Sequence, residues 1–160
     1  MPRTPRMLFI CSGNLHRSVM GAALMEAMMA QAGFEVRMAS AGTLGLRGVP
    51  SPPEVLEVCA EYGLDVSAHR SQPLTLSLLQ NSDAIIVMAE HHGDSAIRID
   101  PKCERRVHFL GDYADPPGDV FDPIGQDVTV FRQSRDHILA ALQRLFPELL
   151  EALRLVPPQQ

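Results

Sequence analysis

Short apolar runs alternate with longer helix-forming segments along this chain. Residues 6–10 form an apolar run that stops at a polar turn containing glycine, and residues 19–32 are rich in alanine, leucine and methionine. This order predicts a strand, a loop and a helix, and Gly33 follows where a left-handed helix cap is expected. Residues 34–39 then alternate as a second strand before a turn at residues 40–43.

The same alternation continues towards the C-terminus. Residues 84–88 are apolar and β-branched, which is typical of a buried parallel strand, and residues 106–109 predict a fourth strand. Further helices are predicted at residues 52–62, 75–80, 90–97 and 127–145. Pro147 either bends the last helix or starts a separate turn. Strands that alternate with helices predict an α/β fold in which helices cover both faces of a parallel sheet.

Length and composition predict one folded domain. The chain has 160 residues, of which 46% are hydrophobic and 21% charged, so we expect a single domain over residues 1–160 with its core at about 6–145. The net charge is 14 − 19 = −5 and no basic cluster is present, so neither nucleic acid nor an anionic membrane is an expected partner. No apolar run approaches the roughly 20 residues that a membrane span needs.

The cysteines indicate a reducing environment. Cys11, Cys59 and Cys103 are odd in number and widely spaced, and no Cys-x-x-Cys pair is present. Neither a disulfide framework nor a structural zinc site fits this pattern, so we expect a cytoplasmic protein without a metal or cofactor. His91 and His92 do not form a metal pair in this interpretation, because neighbouring side chains on a helix point about 100° apart.

The segment from Cys11 to Ser18 carries the candidate chemistry. It lies between the first predicted strand and the first helix, at the edge where open α/β sheets bind ligands. Gly13 and Asn14 tolerate left-handed backbone angles, so the loop can curl until its N–H groups point inward beside the helix N-terminus. That arrangement favours a phosphate-sized oxyanion. A nucleotide-binding Walker loop would need a lysine at its end, where this helix begins with Arg17.

The spacing of Cys11 and Arg17 indicates how the loop would bind a phosphoryl group and react with it. Cys11 opens the loop and Arg17 follows six residues later, which closes one turn of backbone around a single phosphoryl group. The N–H groups, the helix dipole and the Arg17 charge favour a Cys11 thiolate, which is a nucleophile without a general base. Arg17 can hold two phosphoryl oxygens, and Ser18 can donate to the sulfur. The predicted phosphate-binding residues are Ser12, Gly13, Asn14, Leu15, His16, Arg17 and Ser18.

These residues resemble the low-molecular-weight protein tyrosine phosphatase family, whose loop reads Cys-x-Gly-Asn-x-Cys-Arg-Ser. Other features resemble the family in the same order: the turn at 40–43, the segments at 61–65 and 69–70, the strand at 83–88 with His92 after it, and Asp122-Pro123. The resemblance implies a four-stranded parallel sheet in a flavodoxin-like three-layer sandwich, no metal, and a two-step phosphatase mechanism.

Two positions depart from the family pattern. His16 stands where the family often has a second cysteine, and Ile124-Gly125 follow the Asp-Pro pair where the tyrosine phosphatases often carry aromatic residues. His16 is expected either to be a solvated loop residue or to turn its imidazole towards the Cys11 sulfur, where an imidazolium would stabilise the thiolate.

A general acid must protonate an oxygen leaving group, and the segment at 110–126 offers four carboxyl groups. They belong to Asp112, Asp115, Asp119 and Asp122. Asp115 and Asp122 precede proline, which biases each towards an extended backbone. Asp122 is favoured because the apolar residues Val120, Phe121 and Ile124 would disfavour its ionised form, and because the family resemblance points to it.

We therefore predict a metal-independent protein-tyrosine phosphatase that hydrolyses phosphomonoesters through a cysteinyl-phosphate, with Cys11, Arg17 and Asp122 as catalytic residues. Phosphotyrosine proteins are the expected substrates, and phosphate or vanadate the expected inhibitors. An arsenate reductase on the same scaffold is an alternative, although the chain lacks the close cysteine pair of a thiol relay. A phosphoarginine phosphatase is another, although the bulky apolar Leu15 suits an aryl group better. A phosphopeptide-binding module would need neither Cys11 nor an acid.

Overall fold

The computed structural model describes residues 3–157 and 159, and its centre is a sheet of four parallel strands. The strands are β1 (Arg6–Cys11), β2 (Arg37–Gly42), β3 (Ala84–Val87) and β4 (Val107–Phe109), in the spatial order β2-β1-β3-β4. The helices are α1 (Arg17–Gln31), α2 (Pro53–Ala60), α3 (Leu76–Gln80), α4 (Glu90–Ile99) and α5 (Val128–Ala152), with 3₁₀ turns at Pro101–Arg106 and Leu110–Tyr113. The predicted four-stranded parallel α/β fold is confirmed.

Alternate residues of β1 face two separate cores, one on each side of the sheet. Met7 and Phe9 pack with side chains from α1, α2 and α5, whereas Leu8 and Ile10 pack with side chains from α3 and α4. All four are fully buried, as expected for a parallel strand that is covered on both faces. The molecule therefore has three layers, with α1, α2 and α5 on one face and α3 and α4 on the other.

The second strand begins three residues later than predicted. Its first residue, Arg37, pairs with Arg6, the first residue of β1, so residues 34–36 have no strand beside them to pair with. Phe34 instead closes the end of α1, where its N–H donates to the Met29 carbonyl at 2.9 Å. Residues 40–42, predicted as a turn, complete the strand. The start of β1 thus decides where β2 begins, whereas the local pattern of residues 34–39 does not.

The last helix is longer than predicted. α5 continues as one helix through Pro147 to Ala152, past the expected end at residue 145. Leu145 and Leu149 flank the proline and are fully buried in the same core. Their burial outweighs the one backbone hydrogen bond that proline cannot make.

Ion pairs tie the end of α2 to α5. Glu61 lies 2.7 Å from a guanidinium nitrogen of Arg132 and 2.5 Å from one of Arg135. Hydrogen bonds, the strongest from Arg132 and the next from Arg135, lower the pKa of Glu61 from its ordinary value of 4.5 to about 2. Within the described residues, no helix combines the length and the apolar character that crossing a bilayer requires.

The long segment between β4 and α5 folds back over the edge of the sheet. The Gly118 N–H donates to the Gly111 carbonyl at 3.1 Å, and the Val120 N–H donates to the Met88 carbonyl just after β3 at 2.8 Å. A side chain at Gly111 would collide with the Gly118 carbonyl, so this close approach of two backbones requires glycine. The fold-back brings residues 120–122 to the carboxyl end of β3, beside the Cys11–Ser18 loop.

Candidate active site

The Cys11–Ser18 loop lies where the order of strands reverses. β2 lies on one side of β1 and β3 on the other, so the chain runs from β1 to β2 in one direction and then from β2 past β1 to β3 in the opposite direction. Such a reversal opens a crevice outside the carboxyl ends of the two central strands, and ligands of open α/β sheets bind there. The loop leaves β1 into this crevice and runs directly into the N-terminus of α1.

Surrounding segments hold the carbonyl groups of the loop outward. Four carbonyls accept hydrogen bonds: Cys11 from Thr43 N (3.1 Å), Ser12 from Leu44 N (3.0 Å), Asn14 from His69 Nε2 (2.7 Å) and Leu15 from Ser51 Oγ (2.8 Å). Each peptide unit points its N–H away from its C=O, so the N–H groups turn inward. Within the part of the chain that the structure describes, the N–H groups of Gly13, Leu15 and His16 donate to no protein acceptor. With the free N–H groups of the first turn of α1, they form a cup of donors that suits an oxyanion.

Asn14 maintains the curl of this loop. It is fully buried and adopts a left-handed φ of 57°, which asparagine tolerates better than most residues. Its side-chain Nδ2 donates to Ser18 Oγ and to Ser40 Oγ, each at 2.9 Å, and its Oδ1 accepts from the Gln72 N–H at 3.0 Å. One side chain therefore ties the loop to α1, to β2 and to the segment before α3.

Gly42, at the end of β2, allows the loop to lie against the sheet. A Cβ at this position would stand 2.6 Å from the Ser12 carbonyl oxygen and 3.0 Å from the Asn14 nitrogen. Both atoms belong to the backbone and cannot swing aside, so only glycine permits this contact.

The Cys11 sulfur lies at the bottom of the cup with donors around it. The residue is 2% exposed, its Sγ accepts from the Asn14 N–H at 3.3 Å, and Ser18 Oγ is 3.0 Å away. Because Ser18 Oγ already accepts from Asn14 Nδ2, its own hydroxyl hydrogen is available to the sulfur. These contacts suit a thiolate.

Arg17 stands beside the cup with a buried and fixed guanidinium. The residue is 5% exposed, and Nη1 donates to the Val120 carbonyl at 3.0 Å. Nη2 lies 3.4 Å from Ser12 Oγ and 3.4 Å from Asp122 Oδ2. A planar group held in this way can present two donors to a phosphoryl group.

His92, in the first turn of α4, supports the loop, a role that the sequence did not reveal. It is fully buried, its Nδ1 accepts from the Ala89 N–H at 3.0 Å, and its Nε2 lies 2.9 Å from Ser12 Oγ. Burial lowers the pKa of His92 to about 3, so the imidazole is neutral and its Nε2–H donates to Ser12. The available signal was the position of His92 just after β3, the strand beside β1.

The structure brings Asp122 to this site. Its Oδ1 accepts from the Ile124 N–H at 3.1 Å, and its Oδ2 faces Arg17. The expectation that apolar neighbours desolvate the carboxyl group is wrong, because Phe121 and Ile124 are 60% and 65% exposed and the Asp122 side chain is 36% exposed. Asp119 accepts instead from the Glu90 N–H at the beginning of α4.

The His16 imidazole faces Asp122, which neither sequence expectation described. Its Nδ1 lies 3.5 Å from Asp122 Oδ1, and its side chain is 13% exposed. The ring meets the Phe131 ring edge-on, with centroids 5.4 Å apart. Burial lowers the pKa of His16, and the nearby Asp122 carboxylate opposes part of that shift.

A family model described as low molecular weight phosphotyrosine protein phosphatase matches residues 6–155. The chain belongs to this family. Its members are phosphatases that act on phosphorylated proteins, so both the predicted family and the predicted enzyme class are confirmed.

Relatives within this phosphatase family carry two kinds of name. The chain is 35% identical over 138 residues to a probable low molecular weight protein-tyrosine-phosphatase, EpsP of Ralstonia solanacearum, covering 86% of this chain and 88% of that protein. It is 28% identical over 144 residues to a protein-arginine-phosphatase of Bacillus subtilis, covering 89% and 95%. A solved cysteine-to-serine mutant of YwlE arginine phosphatase, with a phosphorylated active site serine, has a TM-score of 0.85 at 28% identity, covering 94% of this chain and 99% of that one.

In this phosphatase, apolar side chains lie beside the Cys11–Ser18 loop. A Cβ at Gly13 would lie 3.7 Å from Leu15 Cγ and 3.8 Å from Leu46 Cδ1, so these two leucines flank the middle of the loop. Leu44 and Leu46, between β2 and α2, are 68% and 37% exposed. Leu15, Leu44 and Leu46 are called the leucine rim below.

Proposed function

We propose that this chain is a metal-independent protein-tyrosine phosphatase that works through a cysteinyl-phosphate, with Cys11, Arg17 and Asp122 as its catalytic residues. One observation carries the proposal: the Cys11 sulfur lies in a cup of backbone N–H groups, with the Arg17 guanidinium and the Asp122 carboxyl beside it. A nucleophile, donors for a phosphoryl group and a proton source are thereby assembled at one sheet edge.

In the first step, the Cys11 thiolate forms a bond to phosphorus as the bond from phosphorus to the leaving oxygen breaks. The loop N–H groups and Arg17 stabilise the negative charge on the equatorial oxygens. Asp122 transfers its proton to the leaving oxygen, so the product departs as a neutral hydroxyl compound. The phosphorylated serine in the YwlE mutant supports this step, because it places a phosphoryl group on the residue that replaces the active-site cysteine in a relative.

In the second step, water hydrolyses the cysteinyl-phosphate. The Asp122 carboxylate takes a proton from water, the water oxygen bonds to phosphorus, and the electron pair of the S–P bond returns to Cys11. The Ser18 hydroxyl, 3.0 Å from the sulfur, stabilises the departing thiolate.

Phosphotyrosine is the proposed substrate because of the leucine rim. An aryl leaving group can lie against Leu15 and Leu46, whereas a guanidinium would lose hydration against these two side chains. The relative named a protein-arginine-phosphatase makes phosphoarginine the competing substrate. The absence of aromatic residues at Ile124-Gly125 predicts a high KM for phosphotyrosine peptides.

The arsenate reductase alternative needs thiols that can reach Cys11. Cys103 packs in the core on the opposite face of the sheet from Cys11. Cys59 is 1% exposed in α2, and burial raises the pKa of its thiol to about 11, so little thiolate is available for a relay. Three buried free cysteines also support the proposal that the enzyme works in the cytoplasm.

The deciding experiment compares kcat/KM for a phosphotyrosine peptide and a phosphoarginine peptide in the presence of chelator. We expect phosphate release from phosphotyrosine and inhibition by vanadate or phosphate. Cys11→Ser should retain oxyanion binding but turn over at less than about a hundredth of the wild-type rate, while Cys59→Ser serves as the matched control. A preference for phosphoarginine would refute the substrate, and activity remaining in Cys11→Ser would refute the mechanism.

A further inference from the structure

The two carboxyl oxygens of Asp122 have different surroundings. Oδ1 accepts from the Ile124 N–H at 3.1 Å and lies 3.5 Å from His16 Nδ1. Oδ2 lies 3.4 Å from Arg17 Nη2, the nitrogen that is also 3.4 Å from Ser12 Oγ. Oδ2 is therefore the oxygen on the side of the phosphoryl cup, and Oδ1 is the oxygen on the side of His16.

The surroundings of His16 fix its protonation state and its orientation. Burial lowers the pKa of the imidazole; Asp122 and the more distant Glu54 oppose this shift, and Arg17 adds to it. The ring is thus neutral at neutral pH, and the edge-on contact with Phe131 directs Nδ1 at the carboxyl group. A neutral imidazole stabilises a carboxylate through the nitrogen that bears hydrogen, so the tautomer with hydrogen on Nδ1 is the one that fits.

We propose that His16 is a positioning residue for the general acid: its Nδ1–H and the Ile124 N–H occupy Oδ1, so the transferable proton of Asp122 resides on Oδ2, facing the leaving group. This inference rests on the proposed phosphatase function and deepens it. A proton on Oδ1 would compete with two N–H groups, whereas Oδ2 faces one, Arg17 Nη2 at 3.4 Å, which is the donor that the mechanism assigns to the phosphoryl oxygens.

The contact matters most while the proton moves. As the Oδ2–H bond breaks, its electron pair stays on the carboxylate and the proton joins the leaving oxygen, so negative charge grows on Asp122. A hydrogen bond from a neutral donor to a carboxyl group strengthens as that group becomes charged, and contacts that are long in the free enzyme tighten at this point. His16 Nδ1 and Asp122 Oδ1 are 3.5 Å apart in this structure, so the contact must shorten to become a full hydrogen bond.

A histidine at position 16 can play this role, whereas the cysteine that is common in the family cannot. A cysteine at position 16 would offer only a weak S–H donor on a shorter side chain. The effect of His16 should therefore depend on how much the leaving group needs a proton. Phenol, a poor leaving group, needs it far more than p-nitrophenol does.

The test compares kcat/KM for phenyl phosphate and p-nitrophenyl phosphate, because this constant reports the steps up to the phosphoenzyme. His16→Leu should lower the value for phenyl phosphate about tenfold more than the value for p-nitrophenyl phosphate. His16→Asn, whose amide can donate near the position of Nδ1, should restore most of this difference. His137→Leu, on α5 outside the contacts of Asp122, is the matched control and should leave the ratio unchanged.

A second comparison separates positioning from packing. In an Asp122→Asn background no proton can be transferred, so adding His16→Leu should change the ratio of the two constants no further. Two results overturn the inference and leave the phosphatase assignment intact. In the first, His16→Leu lowers kcat/KM equally for both substrates. In the second, His16→Leu still changes the ratio of the two kcat/KM values in the Asp122→Asn background. A wild-type chain that hydrolyses neither ester overturns the proposed function, and this inference with it.

Discussion

Replacing Asn14 by alanine should destabilise the fold more than the small size of the asparagine side chain suggests. The substitution removes two hydrogen bonds donated by Nδ2, to Ser18 and Ser40, and one accepted by Oδ1 from the Gln72 N–H. It also leaves alanine at a φ of 57°, where a Cβ is unfavourable unless a local polar side chain compensates.

The magnitude follows from these contacts. A buried hydrogen bond contributes about 1 kcal/mol net, so losing three costs about 3 kcal/mol. The left-handed backbone adds about 1 kcal/mol for alanine, which gives about 4 kcal/mol in total. Asn14→Gly avoids the backbone strain but gains entropy when unfolded, so we expect the two variants to agree within about 1 kcal/mol.

Urea unfolding followed by circular dichroism measures this loss, with Asn81→Ala as the matched control. The Asn81 side chain is also hydrogen-bonded, to Ser77, but on an exposed surface, so its removal should cost less than about 0.5 kcal/mol. If Asn14→Ala cost no more than Asn81→Ala, the loop would not depend on these hydrogen bonds, and this account of its curl would be wrong.

Three further substitutions test other parts of the molecule. Gly93→Ala in α4 should stabilise the fold by about 0.5–1 kcal/mol, since the new methyl group meets its neighbours at ordinary contact distance; a lower Tm would contradict this. Glu61→Gln should lower the urea midpoint at pH 7. The lowered pKa of Glu61 means that its carboxylate stabilises the fold above pH 4.5 and that this stabilisation is lost as the pH falls towards about 2. If the wild type and the variant differed by the same amount at every pH, the ion pairs of Glu61 would not be the cause. Peroxide should add oxygen to Cys11 without forming a disulfide, and His16→Cys should improve recovery by thiol reductant. A wild-type mass lower by two hydrogens, with full recovery, would show that a second cysteine reaches Cys11.

Sequence reasoning located the elements because their signals are local. An apolar run that ends at Gly13 and Asn14, followed by helix-forming residues, specifies a strand, a turn and a helix without reference to the rest of the chain. The start of β2 could not be obtained in this way, since it depends on where β1 begins. The surroundings of Asp122 were misjudged for a related reason: apolar neighbours in sequence do not desolvate a carboxyl group when Phe121 and Ile124 point into solvent.

The candidate site shows the same division between local and distant information. The residues from Cys11 to Ser18 are contiguous, so their spacing could be interpreted directly. The groups that shape them come from other segments: Ser40 and Gln72 bind Asn14, and His92, 80 residues along the chain, binds Ser12. Apart from the position of His92 just after β3, nothing in the local pattern of these partners distinguishes them from ordinary structural residues.

The loop carbonyls accept hydrogen bonds from other segments of the chain, which implies that the sequence of the loop alone does not specify an anion site. The inward N–H groups are available because Thr43, Leu44, Ser51 and His69 bind the opposite carbonyls. Two of these donors are backbone groups at the end of β2, so they are present only when β2 pairs with β1 along its full length. A chain with the same eight loop residues but a shorter second strand would leave those carbonyls free to turn inward, where they would repel a phosphoryl group. Binding of the oxyanion thus depends on the register of the sheet as much as on the loop itself.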